Sequence, residues 1–288
     1  MSPKLWQNAF YVYYAPDRDL FDDALQALRR QDDDVGRRAV LAQARENDRA
    51  LYRRTWRHPP TRAVLDSVPN LMIWDDHEIR DDWGGRNGDT DPSRSQYTLG
   101  CMARGVYRAT QRQLWDDVET ADPSVLAPSP AGYEHHLHAW GDLGVFFIDP
   151  RTARSFAPMA GRPDAGPLLD ELEKALYGGA LSAVRALVLV SPVPVAFLSS
   201  ATANQLGHHA TNLFNDLRDH WSYYDDRVDH RPELRRLLDL LRTWQAQAGH
   251  AVVIVSGDVH VGAMTTIHHA GGSTLEQLIT SPMNTLVA

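Results

Sequence analysis

Four short apolar runs, each ending abruptly in polar residues, constrain this chain more than any other feature. Leu71-Met72-Ile73-Trp74 runs into Asp75-Asp76-His77-Glu78. Val145-Phe146-Phe147-Ile148 runs into Asp149-Pro150-Arg151, with Arg154 close behind. Ala186–Val190 stops at Ser191-Pro192, and Ala251–Val255 stops at Ser256-Gly257-Asp258-Val259-His260. Uninterrupted apolar runs of this length suit strands buried on both faces. Ligands of α/β sheets bind outside the carboxyl ends of the strands. If the four strands are neighbours, two carboxylate–histidine clusters converge on one rim.

The segments between the runs read as helices and turns. Leu99, Met102, Val106, Thr110 and Leu114 recur at three- and four-residue spacing. So do Leu234, Leu237, Leu238, Leu241 and Trp244, with Pro232 near the start and Gly249 as a stop. Leu41, Ala44, Leu51 and Tyr52 predict another helix before Pro59, and Asp22–Leu28 a short one. Tyr133–Trp140 alternates imperfectly and meets Gly141-Asp142, which predicts a hairpin into Val145–Ile148. Ala121–Gly132 and Phe156–Pro167 read as loops. Helices mixed with buried strands predict an α/β fold with a mixed sheet.

Composition narrows the function. Of 288 residues, 43% are hydrophobic, enough for a substantial core, and the net charge is −8. That acidic balance argues against a nucleic-acid footprint, although a bound metal can reverse the field locally. A single cysteine, Cys101, allows no intrachain disulfide and no cysteine-based zinc site. No signal peptide and no transmembrane run is read from the sequence, so the expected location is cytoplasmic, or extracytoplasmic if a longer N-terminus exists.

Converging Asp and His suit hard or borderline metal ions. Such ions clamp phosphoryl oxygens and activate water near neutral pH. A neighbouring histidine can protonate the leaving oxygen, and an arginine fork can grip phosphate. Asn70–Gly84, with Trp74-Asp75-Asp76-His77-Glu78 inside it, resembles the signature of the PhoD-like (alkaline phosphatase D) metallophosphatases. Val255–His260 resembles that family's last metal motif. Phe147–Ser155 and Leu278–Asn284 resemble two further segments of the family, so the likeness spans roughly Tyr52 to Asn284.

The resemblance implies a calcineurin-like phosphoesterase fold, a mixed-sheet αββα sandwich, with residues 1–288 as one partial catalytic domain. It implies metal-dependent hydrolysis of phosphate mono- or diesters, with calcium, iron, manganese or zinc as cofactor. Residue by residue, it makes Asp76, Asp258 and His260 the metal ligands and His77 the catalytic residue. Asp75 and Glu78 would support the ligands, and Arg151 and Arg154 would bind the substrate phosphate. The family's upstream Gly-Asp-x-x-Tyr motif does not occur before Asp75. The fold is therefore expected to be incomplete at its N-terminus, with one cation bound at most and a tendency to self-associate. The alternative is a degenerate or truncated relative that binds phosphate or a single cation without turnover.

Other features have plainer readings. The acidic stretch from Asp75 to Asp82 could be a solvated loop, and Arg151 and Arg154 could be surface ion-pair partners. His135, His136 and His138 are expected on an exposed hairpin strand, His136 and His138 sharing a face. His208, His209, His220, His230, His268 and His269 are expected at the surface. Ser191 lacks a Gly-x-Ser-x-Gly elbow, and Cys101 falls within a helical core pattern.

Overall fold

The computed structural model describes residues 20–80, 83–84, 89, 91–116, 133–153, 166–207, 218–222, 231–259 and 261–280. The chain divides into two compact units, Met1–Ala131 with Ala288, and Gly132–Val287.

The first unit is helical among its described residues. Residues 20–29 form helix α1, followed by α2 (Asp34–Trp56), α3 (Pro59–Ser67) and α4 (Ser95–Thr110). Asp33 caps α2 by accepting the Gly36 N–H at 2.7 Å, which satisfies one of the four open donors of a helix start. His58 precedes the Pro59-Pro60 start of α3, where proline's missing donor is no loss. Leu99, Met102, Ala103, Val106 and Tyr107 line one side of α4 and pack with Leu28, Leu41, Phe21 and Trp83.

Leu71–Trp74, expected as a buried strand, is irregular backbone in the structure. A strand needs a ladder partner, and none of the described residues pairs with this run. It is held through side chains instead. The Tyr107 hydroxyl donates to the Met72 carbonyl at 3.4 Å, and the Trp74 ring stacks on Tyr107 with centroids 5.6 Å apart.

The second unit holds a six-stranded mixed sheet in the order β1-β2-β3-β4-β6-β5. Its strands are β1 (His136–Trp140), β2 (Leu143–Phe147), β3 (Ala186–Ser191), β4 (Ala251–Ser256), β5 (Ala263–His268) and β6 (Thr274–Ile279). β2, β3, β4 and β6 are parallel neighbours, and β1 and β5 close the edges antiparallel. The β1–β2 hairpin forms as the sequence predicts, with Gly141 at φ 58 in its two-residue turn. Helices α5 (Pro150–Ala153), α6 (Gly166–Tyr177), α7 (Ser200–Gly207) and α8 (Arg231–Gln245) complete the unit. The first two residues of α6 fall in the expected loop Phe156–Pro167, whose residues 156–165 lie outside the described residues, as does the expected loop 121–132.

The two faces of the sheet differ. On one, Phe146, Leu187, Leu189, Val252, Ile254 and Leu275 pack with α6 and α8 side chains such as Leu172, Leu241 and Trp244. On the other, the register brings Val145, Val188, Val253, Glu276 and Thr266 into one row, and Phe147, Val190, Val255, Leu278 and Met264 into the next. Met264 on this face is 81% exposed and Trp140 is 54% exposed; Val253 and Leu278 are exposed too.

One buried amide ties the packed face to the loop after β3. Gln277 accepts the Val195 and Ala196 N–H groups at 2.8 and 3.3 Å and donates to the Ala196 carbonyl at 2.5 Å. Gln277→Leu strands these buried backbone groups, so it should cost about 1–3 kcal/mol in urea unfolding. An unchanged unfolding midpoint would show that the loop finds other partners.

Candidate active site

The Asp75–Glu78 segment is shaped by its own hydrogen bonds. Asp76–Glu78 form a single 3-10 turn, and the Ile79 and Arg80 N–H groups return to the Asp76 carbonyl at 2.8 and 2.7 Å. Glu78 reaches back and accepts the Asp75 N–H at 2.7 Å. Its other oxygen accepts from Gln111 Nε2 at 2.7 Å, and the same Nε2 lies 3.0 Å from the Tyr52 hydroxyl. Burial first, then the neighbouring Asp75 charge, pushes the Glu78 carboxyl up to about 7, against the pull of the Asp75 N–H, Gln111 and His77. Burial, with Glu78 beside it, also holds the Tyr52 hydroxyl well above its ordinary value.

Glu78 thus fixes the backbone of Asp75 from behind. Asp75 and Asp76 each present a carboxylate oxygen, the two within 4.8 Å of each other. Oxygen donors at that spacing suit a hard cation. Past the turn, the buried Arg80 guanidinium pairs with buried Asp89 and lies 5.5 and 5.6 Å from the Trp83 and Phe21 ring centroids. Asp89 also accepts the Gly84 N–H at 3.1 Å, where Gly84 takes φ 92. The acidic stretch is therefore not a plain solvated loop: Asp76, Arg80 and Asp89 are buried. Asp81 and Asp82 lie outside the described residues.

In the second unit, parallel β2, β3 and β4 end level with one another, since Phe147 faces Val190 and Ser191 faces Ser256. Three of the four predicted strand ends therefore share one rim. At the first, Asp149 is fully buried and works as a clamp. It accepts the Glu134 N–H at 2.6 Å and both the N–H and hydroxyl of Thr152, at 3.1 and 2.5 Å. That clamp starts α5 and aims Arg151 inward. At the second, Ser191 donates its hydroxyl to the Val193 carbonyl at 2.6 Å. At the third, the Thr280 N–H and hydroxyl both donate to the Ser256 carbonyl, at 2.7 and 2.9 Å.

Asp258 follows with φ 72, and it alone among the described non-glycine residues has a positive φ. Left-handed backbone is strained for a residue with a Cβ, Asp being one of the few types that adopts it, and it clusters at functional sites. Arg151, read from sequence as a phosphate contact or a surface pair, has a fully buried side chain. It pairs with Asp219 at 2.6 Å and lies 3.6 Å from the Asp258 carboxylate. His260 and Arg154 lie outside the described residues.

Two histidine expectations change. His220 is fully buried: its Nδ1 lies 2.7 Å from the Ser222 hydroxyl, and its ring meets Phe197 edge-on at 5.7 Å. The polar stretch around it hid this, because Asp219 enters the interior with it as Arg151's counter-ion. His136 is also buried, stacked on Phe147 at 4.2 Å with its Nδ1 2.9 Å from His138 Nε2. His268 is exposed, as expected; His208, His209 and His230 lie outside the described residues. Sequence reading missed Gln111, Tyr52 and Asp219. No motif marks them; Gln111, 33 positions from Glu78, becomes a partner only through the tertiary fold.

The family model of PhoD-like phosphatases matches residues 11–285, and the chain belongs to that family. The family is metal-dependent and acts on phosphate esters. The chain is also similar, at 24% identity over 238 residues, to an uncharacterized protein of Saccharomyces cerevisiae. That match covers 69% of this chain, which spans about a third of the relative's length (33%).

Arg151→Met leaves Asp219 without its closest partner in a buried setting. It should cost about 3–5 kcal/mol in chemical unfolding. A loss below about 1 kcal/mol would show that water replaces the guanidinium.

Proposed function

We propose that this chain hydrolyses phosphate mono- or diesters, with water as the nucleophile. The observation that carries the reading is the Asp75-Asp76-His77-Glu78 turn in a chain of this family, its backbone braced by Glu78, which accepts from the Asp75 N–H and from Gln111. Asp76, Asp258 and His260 are the proposed metal ligands. Their oxygen and nitrogen donors fit calcium, manganese, iron or zinc. Such an ion supplies Lewis acidity and lowers the pKa of water.

The chain's own groups do the rest. Asp75 and Glu78 hold the Asp76 turn in place. Arg151 acts as a positioning residue for Asp258, its guanidinium being enclosed; Arg154 remains the candidate for the phosphate itself. His77 donates a proton to the leaving oxygen as the water oxygen forms its bond to phosphorus and the ester P–O bond breaks. The fold proposed with this activity is a two-sheet sandwich, and the exposed apolar face of the six-stranded sheet has the character of an inner sandwich face. No described helix is long and apolar enough to cross a membrane.

Turnover of a chromogenic diester, with calcium, manganese, zinc and iron each supplied and metal content measured on the same sample, tests the activity. His77→Ala should lower kcat by about 100-fold or more while metal content stays. Bound metal without turnover would instead support the second reading, a phosphate- or cation-binding relative.

The exposed Met264 and Leu278 side chains also support self-association. Light scattering should show mass rising with concentration, and Leu278→Lys with Met264→Lys should suppress the rise. A monomer at every concentration would remove self-association from the account.

A further inference from the structure

The helical unit contains a cavity of about 140 Å³ whose wall includes His77, Glu78 and Ile79 of the candidate catalytic turn. Helices α1, α2 and α4 supply the other walls, mainly through Leu20, Phe21, Ala24, Leu51, Leu99 and Met102. Tyr52, Gln111 and Glu78, joined by hydrogen bonds through Gln111, lie beside the turn, and α2 adds Asn47, Asp48 and Thr55. Apolar walls with a few fixed polar groups are the usual make-up of a small-molecule site.

We infer that this cavity receives the alcohol portion of the ester, and that the substrates are aryl phosphate esters whose leaving group is a single ring. Size sets the limit. An engineered cavity of about 150 Å³ lined by Leu, Ile and Phe takes up benzene, so one ring fills a space like this. Wall chemistry sets the preference. Phe21, Leu51, Leu99 and Met102 offer a flat ring apolar contact. Position supplies the link to catalysis. A ring seated in the cavity lies against the turn that carries His77, so its oxygen is the one presented for protonation. The assignment of that oxygen as a leaving group rests on the proposed hydrolysis; the ring site itself does not.

The test uses the full chain and phenol, a probe without phosphate, in the absence of added metal, read by ligand-observed NMR. Saturable phenol binding is expected. Ala24→Leu and Ala44→Leu fill the cavity from α1 and from α2, and each should weaken phenol binding by about tenfold or more. Circular dichroism melts establish that each variant is folded. With metal supplied, the ratio of kcat/KM for phenyl phosphate to that for methyl phosphate should fall in both variants. Phenol binding that the variants abolish, without turnover of either ester, would keep the ring site and overturn the hydrolysis reading. Absence of phenol binding, or equal binding in folded variants, would overturn the ring site. An unchanged ester ratio alongside lost phenol binding would overturn its role in substrate selection.

Discussion

A charge taken out of water has to meet its opposite, and both units of this chain are organised around that requirement. Arg151 is enclosed and answered by Asp219, with Asp258 close by. Arg80 is enclosed and answered by Asp89, with aromatic rings over its cation. Neither arrangement is a cheap source of stability, because burying two ions costs several kcal/mol that their attraction only partly offsets. What each gives is a fixed position. Arg151 ties a strand end, a turn and the Asp219 segment together in the second unit. Arg80 fixes the chain directly after the Asp75–Glu78 turn in the first.

Glu78 meets the same problem with hydrogen-bond donors instead of a counter-ion. Its carboxyl sits where ionisation is costly, and the donors from Asp75 and Gln111 only partly offset that cost. The result is a fixed backbone behind the Asp75 and Asp76 carboxylates. Rigidity of this kind is what a hard cation or a phosphate group asks of its site, since ligands that must rearrange on binding lose affinity.

Much of this was legible in the residues, and the limits have physical causes. The helical periodicities around Leu41, Leu99 and Leu237 and the hairpin at Gly141-Asp142 appear where expected, because local sequence decides them. Leu71–Trp74 reads as a strand but forms none, since pairing is a property of two segments and only one was in view. β5 and β6 were not read as strands; the Gly271-Gly272 pair between them, at φ 105 and 89, was the available turn signal. At the site, the strand-end motifs drew attention to Asp75–Glu78 and Asp258. Behind them, Gln111 bonded to Glu78 and Asp219 paired with Arg151 carry no signature, because any amide or carboxylate at the right point in space could serve.

Gln111 follows α4 directly, and α4 rises from Ser95 only a few residues beyond Asp89. The helix therefore acts as a measured spacer between the acidic turn and the side chain that braces it. Each residue added or removed would turn the far end by about 100° and shift it by about 1.5 Å, enough to carry the amide off Glu78. Substitutions along the outer face of α4 leave that distance intact, whereas changes in its length do not. Among natural variants of this chain, the stretch from Asp75 to Gln111 should accordingly tolerate exchange of residues more readily than insertion or deletion within the helix.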